Sequence, residues 1–522
     1  MILGDPADAA VQRSQGSRVT IDEIFSHVAR LRPVATALVD APNRGAFTDG
    51  APRRLSYAEA DRIVSAIAGR LRRMGLPTGS VVGIQLPNIT EYILTILGIM
   101  RAGLIAAPLP LLWRRADSVA ALARIGGKAL ITCRRVGNFD HGQHALHVAL
   151  DVFSIRYLCG FGDNMPDGFV SFDDLFAAES RDSLPSLNRE AEGNPAAHVA
   201  AVTFDANTDG IVPVARSHLE LLAGGLGVLL ESRVAPGATI LSTLAPSSFA
   251  GICLTLLPWL MSGGTLVLHH AFDAPILERQ LNDERCHVLT LPGPVALRLA
   301  ATGIFAGTSV ACLIAPWHSP ELLPGSPHWH ERDIGMVDVT VLGEMGLLAA
   351  RRDASGKPTA LSLGPIAAPR GSADSIIVAE LVRTDSGTVA LRGAMAPRGP
   401  FPPGDERSGQ PHLKIGHSGL IDSGYTCHLE SGTKTIVVTG PPRGVVNIGG
   451  YRFPLRGLQD AIGRIDEGAT LAAYPDPLVG RRLIGTAIDR GALKAALEAA
   501  GINPLVIAAF GDQSQTGTPV AA

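Results

Sequence analysis

No stretch of this sequence is apolar for long enough, without interruption, to span a bilayer. The nearest, Ile93–Trp113, is broken by Arg101, Pro108 and Pro110 and reads as a buried helix followed by a buried strand. The N-terminal MILGDPADAAVQRSQGSR lacks the apolar core of an export signal. Cysteine is scarce. The six residues (Cys133, Cys159, Cys253, Cys286, Cys312 and Cys427) have no paired spacing, which argues against a disulfide framework and against a Cys-x-x-Cys zinc site. Charge of one sign is lacking too. A formal net charge of −3 offers no electrostatic reason for nucleic acid or an anionic membrane surface as partner. The expectation is a cytoplasmic chain with reduced thiols and no membrane span.

What the chain does have is apolar mass. Hydrophobic residues make up 46% and charged residues 18% of 522, too much for one core, so two or more domains are expected. Thr20 or Asp22 stands near the cap of a helix over Val19–Arg30. Ser56 and Glu59 form a capping box for a second helix, on which Ile63, Ile67, Leu71 and Met74 share one face and which Gly75 and Gly79 end. A strand at Val81–Leu86, a helix at Glu91–Ala102 and a strand at Gly103–Pro108 follow. This alternation predicts α/β architecture with a parallel, doubly wound sheet.

The stretch that draws attention is Thr203–His218, TFDANTDGIVPVARSH. It follows an apolar run at Val199–Val202 that reads as a strand, and it precedes Leu219–Leu230, which reads as a helix. A small-polar loop between strand and helix is a setting in which backbone N–H groups hold phosphate. This loop has Gly210 as its one glycine and no lysine, and Asp205 and Asp209 add negative charge where an anion would sit. The alternative is an ordinary turn made by Asn-Thr-Asp-Gly.

Over Leu55–Leu109 and Gly103–Thr132 the sequence resembles the N-terminal signature of the adenylate-forming superfamily of acyl- and aryl-CoA synthetases, adenylation domains and luciferases. The residues that carry the resemblance are the Tyr57 helix, the VVGIQLPN strand ending in Asn88, Glu91, and the GLIAAPLPLLWRRADSVAALARIGGKALIT crossover. The implied fold is a large N-terminal domain of doubly wound α/β sheets plus a β-rich subdomain, then a small α+β C-terminal domain. Boundaries follow at 1–17 for a flexible terminus, 18–195 and 196–345 for two α/β subdomains, 346–439 for the β-rich part, and 440–522 for a shortened C-terminal domain. Glu179–Asn194 reads as a polar linker.

The resemblance also implies a chemistry. Such proteins activate a small carboxylic acid with ATP and Mg2+ as an acyl-adenylate and pass the acyl group to CoA or a carrier-protein thiol. Thr203, Asn207, Thr208 and Gly210 would then contact phosphate, with Arg216 replacing the lysine as the catalytic cation. Glu344, in DVTVLGEMG, falls on the family's magnesium-binding glutamate; a helix cap or a surface glutamate is the alternative. Thr340 takes the place of an adenine-stacking tyrosine. Ile415-Gly416-His417 stands where the family has its ribose-binding aspartate, and Asp422 is a nearby stand-in, because a neutral imidazole has a single acceptor nitrogen. Phe249 falls at the position that gates the family's acyl pocket and Trp317 and His318 near the pocket's floor, or these aromatics are plain core. Gly449 and Gly450 fall on the loop that lines a pantetheine tunnel, or form a plain tight turn.

Two departures oppose the catalytic reading: Pro441-Pro442 would stiffen the interdomain hinge, and no Gly-Lys pair follows Leu483–Ile488. Two readings therefore stand: a divergent acid–thiol ligase, and a scaffold without adenylation that binds an acyl-CoA, a carrier protein or a partner enzyme. Homodimerisation is left open.

Overall fold

The computed structural model describes residues 18–177, 193–372 and 375–511. The expected flexible terminus and most of the expected polar linker lie outside them. Four sheets make up the main framework. An eight-stranded sheet runs, edge to edge, through Gly346–Arg351, Gly335–Leu342, Cys312–Trp317, Val288–Thr290, Thr239–Ser242, Thr265–Leu268, Thr36–Val39 and Arg54–Ser56. It is parallel except for an antiparallel strand at each edge. A seven-stranded sheet begins with the antiparallel pair Gly210–Ser217 and Val199–Asn207 and continues parallel through Ile105–Pro108, Val81–Gln85, Ala129–Cys133, Tyr157–Phe161 and Phe169–Ser171.

The two α/β sheets do not follow a division at residue 195. The first sheet takes Thr36–Val39 and Arg54–Ser56 from the early chain, and the second takes the 199–217 hairpin from later chain. Side chains in the early signature tie the sheets together. Asn88 Nδ2 donates to the carbonyls of Ser242 (3.0 Å) and His269 (3.3 Å). Arg44 bridges Asp40 (2.5 Å) and Glu91 (2.6 Å), all three buried. The Tyr57 hydroxyl donates to the Gly264 carbonyl at 2.7 Å.

The apolar run at 93–113 is explained by position: every residue from Thr90 to Met100 is buried in the helix Thr90–Arg101, and the strand Ile105–Pro108 is buried throughout. The Ser56–Glu59 capping box forms, starting the helix Tyr57–Arg73. All six cysteines are buried free thiols. Among the described residues no helix is long and apolar enough to cross a membrane. A six-stranded antiparallel sheet spans 361–440, and its last strand in sequence is Thr435–Gly440. A four-stranded antiparallel sheet then begins at Val445 and packs on the helices Leu455–Gly463 and Arg490–Ala499 around its own apolar core.

Glycine decides one packing contact that bears on the site. The helix His218–Ser232 carries Gly224, where a Cβ would lie 2.6 Å from the Phe249 ring and 2.8 Å from Cys253 Sγ. The Gly224→Ala variant is therefore expected to overpack this contact and lose about 1–3 kcal/mol of stability. Chemical denaturation should show a lowered midpoint with an unchanged slope; an unchanged midpoint would refute the tight contact.

Candidate functional site

The 203–218 segment is a β-hairpin, which corrects the strand–loop–helix expectation. Val199–Asn207 pairs antiparallel with Gly210–Ser217, and the helix His218–Ser232 starts directly after the second strand. The physical reason is local. Ile211–Ala215 is apolar and partly β-branched, and its Pro213 is tolerated because this is the sheet's edge strand. Asn207 Oδ1 accepts from the amides of Asp209 (2.9 Å) and Gly210 (3.1 Å), so the turn closes on itself. Those two amides are thereby satisfied within the turn. Thr208 is exposed, and its hydroxyl bonds the Asp209 carboxylate at 3.3 Å.

Strand alternation puts Thr203 and Asp205 on one face, and both are buried. Facing them is the tight connection Gly343–Met345 between the strands Gly335–Leu342 and Gly346–Arg351. The Glu344 amide donates to Asp205 Oδ2 at 2.9 Å, and Glu344 Oε2 accepts from the Phe249 amide at 2.8 Å. Burial pushes the Glu344 carboxyl up to about 7; hydrogen bonding from Thr203 and the Arg216 charge oppose the rise, and Asp205 adds to it.

Arg216 is fully inside. Its Nε donates to the Met395 carbonyl (3.2 Å), one terminal nitrogen donates to the carbonyls of Glu344 and Met345, and the guanidinium stacks on the Phe249 ring at 3.6 Å. Nη1 has no partner. Burial holds its pKa below the ordinary value, with Glu344 the leading opposing influence.

The residue that completes the cluster comes from the C-terminal domain and was not marked by its sequence. Arg452, on the strand Tyr451–Pro454, forms an ion pair with Asp205 Oδ1 and lies 5.6 Å from the Tyr425 ring centroid. Its guanidinium covers Gly343 so closely that a Cβ there would meet Nη1 at 1.9 Å. One signal existed in the sequence. An acid at an interior strand position needs a cation, and no basic residue lies near Asp205 in the chain until Arg216.

The other expected site residues divide. Thr340 is buried in its strand between Trp317 and Leu348. Asp422 is exposed on the six-stranded sheet, where its carboxylate accepts from Thr388 Oγ1 (2.9 Å) and the Gly424 amide (2.8 Å). It does not join the Glu344 cluster, so the ribose stand-in is not assembled. Phe249 is wholly buried under Arg216 and is not part of the lining of the cavity that holds Trp317 and His318. Trp317 and His318 do line one. A cavity of about 420 Å³ lies between the large domain and the C-terminal domain, with Leu291, Val295, Trp317 and His318 on one side and Gly449 and Val479 on the other. Gly449 and Gly450 form the two-residue turn between Val445–Ile448 and Tyr451–Pro454, with φ of 55° and 96°. At Gly450 a Cβ would touch the His318 ring at 3.5 Å. The Trp317 indole is anchored by Asp338 at 2.8 Å. Burial pushes the His318 and His270 imidazoles down to about 4 and lowers that of His269 as well, so the three cavity histidines favour the neutral form near pH 7.

The donor set does not fit Mg2+ as arranged. Glu344 is tied to Phe249, Asp205 to Arg452, and among the described residues no group of three His, Cys, Asp or Glu could hold a metal. None of the chain's five lysines takes part in the cluster.

Residues 25–323, more than half of the chain, match the family model described as AMP-binding enzyme. Among solved structures the chain is similar to the amide bond synthetase McbA from Marinactinospora thermotolerans, with a TM-score of 0.72, 16% identity and 94% of each chain covered. It is also similar to apo MbtA from Mycobacterium smegmatis, with a TM-score of 0.65, 18% identity, and 96% of this chain and 93% of that one covered. A curated relative is the salicyl-AMP ligase / salicyl-S-ArCP synthetase of Mycobacterium tuberculosis, 31% identical over 176 residues, which are 33% of this chain and 30% of that protein. Another is the bovine long-chain fatty acid transport protein 1, 34% identical over 121 residues, 23% of this chain and 18% of that protein, so each match spans less than a third of the relative's length. By the extent of the family match, and with an α/β framework that agrees with it, this chain belongs to the AMP-binding enzyme family of adenylate-forming ligases.

Proposed function

We propose that this chain binds the acyl or aryl body of a small carboxylic acid, free or carried on a CoA or carrier-protein thiol, in the cavity between its domains, and does not adenylate the acid while the domains are docked as described. The observation that carries this reading is the Arg452–Asp205 ion pair beside Glu344. The region that the family resemblance assigns to nucleotide phosphates is filled by the protein's own charges. Arg452 is already paired with Asp205, and Arg216 is held by backbone carbonyls and the Phe249 ring, so neither guanidinium is free for a triphosphate in this arrangement. The cavity, by contrast, has mostly apolar walls and neutral histidines, which suit an acyl or aryl body, with Arg298 as a charged group in its lining.

ATP-dependent ligation to CoA or a carrier thiol is the second reading. It is favoured by the convergence of Thr203, Arg216 and Glu344, and it requires Arg452 to withdraw.

Thermal shift and pyrophosphate release separate the two. Under the first reading ATP–Mg2+ leaves the melting temperature unchanged and no carboxylic acid in a panel yields pyrophosphate, while a fluorescent acyl or aryl probe binds. Val295→Trp, which fills the cavity, is expected to weaken that probe at least tenfold, roughly 1.4 kcal/mol. Acid-dependent pyrophosphate release by the unaltered chain would establish the ligase instead.

Glu344 gives a pH test. Its carboxyl ordinarily titrates near 4.5 and here near 7, so over that interval the folded chain holds a proton that the unfolded chain releases. The stability this group contributes is therefore full below its unfolded pKa and is lost as pH rises through about 7. The groups facing it, Thr203, Arg216, Asp205 and the Phe249 amide, remain in the Glu344→Gln variant. The melting temperature of the unaltered chain, relative to that variant, should fall between about pH 5 and pH 8 and then level off. A difference independent of pH would show that Glu344 is not held protonated.

A further inference from the structure

The Arg452–Asp205 pair joins two domains. Asp205 sits on an interior strand of the large domain, and Arg452 sits on an edge strand of the C-terminal sheet, beyond the short Pro441–Gly444 connection. Their side chains are 3% and 11% exposed, so water screens them little. Asp205 also fixes the Glu344 amide, and Arg452 lies against Gly343 and toward the Tyr425 ring. One pair thus ties the small domain to the backbone that presents Glu344. Among the described residues Arg452 Nε has no hydrogen-bond partner, and Asp205 is the side chain that pairs with this guanidinium, whereas backbone carbonyls hold Arg216.

Most of the hydrogen bonds between the domains are of another kind. The Leu112 amide donates to the Tyr451 hydroxyl (3.2 Å), Asn447 donates to the His318 carbonyl (3.0 Å) and the Tyr425 hydroxyl (3.1 Å), and the Ala116 amide donates to the Gly501 carbonyl (3.1 Å). These join uncharged groups, and each is worth less than a desolvated, charge-assisted pair; the Asp117 carboxyl also bonds the Asn503 side chain, and Glu321 is attracted to Arg481.

We propose that the Arg452–Asp205 pair is an autoinhibitory clasp: it holds the C-terminal domain down on Glu344 and excludes oligophosphate anions from the Thr203–Glu344 cleft, and breaking it frees the cleft. This rests on the proposed function only for the statement that the docked arrangement does not adenylate. A clasp made by one residue from each domain has a clear energetic logic. Removing one partner leaves the other charge buried and unpaired, which favours the undocked state where it regains water. An oligophosphate that reached Arg452 would compete with Asp205 for the same guanidinium.

Three variants test this in the full chain. Arg452→Gln removes the cation. The double variant Asp205→Asn/Arg452→Gln removes both charges without leaving either buried alone. Gly343→Ala keeps every charge but places a methyl where the guanidinium lies, at a residue with φ of 57°. Hydrogen exchange of the peptides covering 335–351 and 445–454 reads docking, and thermal shift with ATP–Mg2+ and with inorganic pyrophosphate reads access to the cleft. Exchange at least tenfold faster in both peptides, together with a new stabilisation by either anion, is expected in all three variants while far-ultraviolet circular dichroism stays unchanged. Folded variants whose exchange matches the unaltered chain would overturn the clasp. So would variants that exchange faster and still ignore both anions. Either result leaves the acyl-cavity reading standing, since that reading fails only if the unaltered chain does not take the probe or releases pyrophosphate.

Discussion

A carboxylate carried into a protein interior must be protonated or matched by a cation, because an isolated buried charge costs more than folding can supply. Asp205 imposes that condition on this molecule. It lies on a strand whose other face is committed to core packing, so it cannot turn to solvent. The match arrives from almost 250 residues later in the chain, as Arg452. Much of the site's character follows from that neutralisation. The Glu344 turn is pinned by its amide, the small domain is drawn over it, and Glu344, buried and next to a second acid, has its proton affinity raised.

Close approach of backbones makes the arrangement possible. Gly343 admits a guanidinium, Gly224 admits the Phe249 ring that supports Arg216, and Gly450 admits His318 at the cavity wall. These contacts share a reason: a planar cation or ring packs flat only where no Cβ intervenes. Around them the two α/β sheets are fastened by Asn88 and by the buried Asp40–Arg44–Glu91 set. These buried contacts lie within residues 25–323, the span that matches the family model.

Much of the scaffold was legible in the chain. The capping box at Ser56 and the run of buried residues from Thr90 to Met100 produce the elements their periodicity predicts. Local pattern was less informative at 203–218. The strand-then-helix expectation there missed the second strand, because Ile211–Ala215 is short and holds a proline that only an edge strand tolerates. The candidate site was half legible. Thr203, Arg216 and Glu344 converge, Trp317, His318 and Gly449 line one cavity, and Gly450 packs against the His318 ring. Phe249 serves the core instead, and Asp422 is spent on Thr388 and Gly424.

By itself the sequence determined the α/β class, the order of elements and the absence of lysine from the 203–218 segment, since each depends on neighbours in the chain or on composition. Only the tertiary structure decided that Asp205 is paired and not merely repulsive, that Arg216 is held by backbone carbonyls, and that Arg452 belongs to the site at all. The reason is range. Helix periodicity and capping act over a few residues, whereas the pairing of buried charges depends on which distant strands the fold brings within about 3 Å of each other.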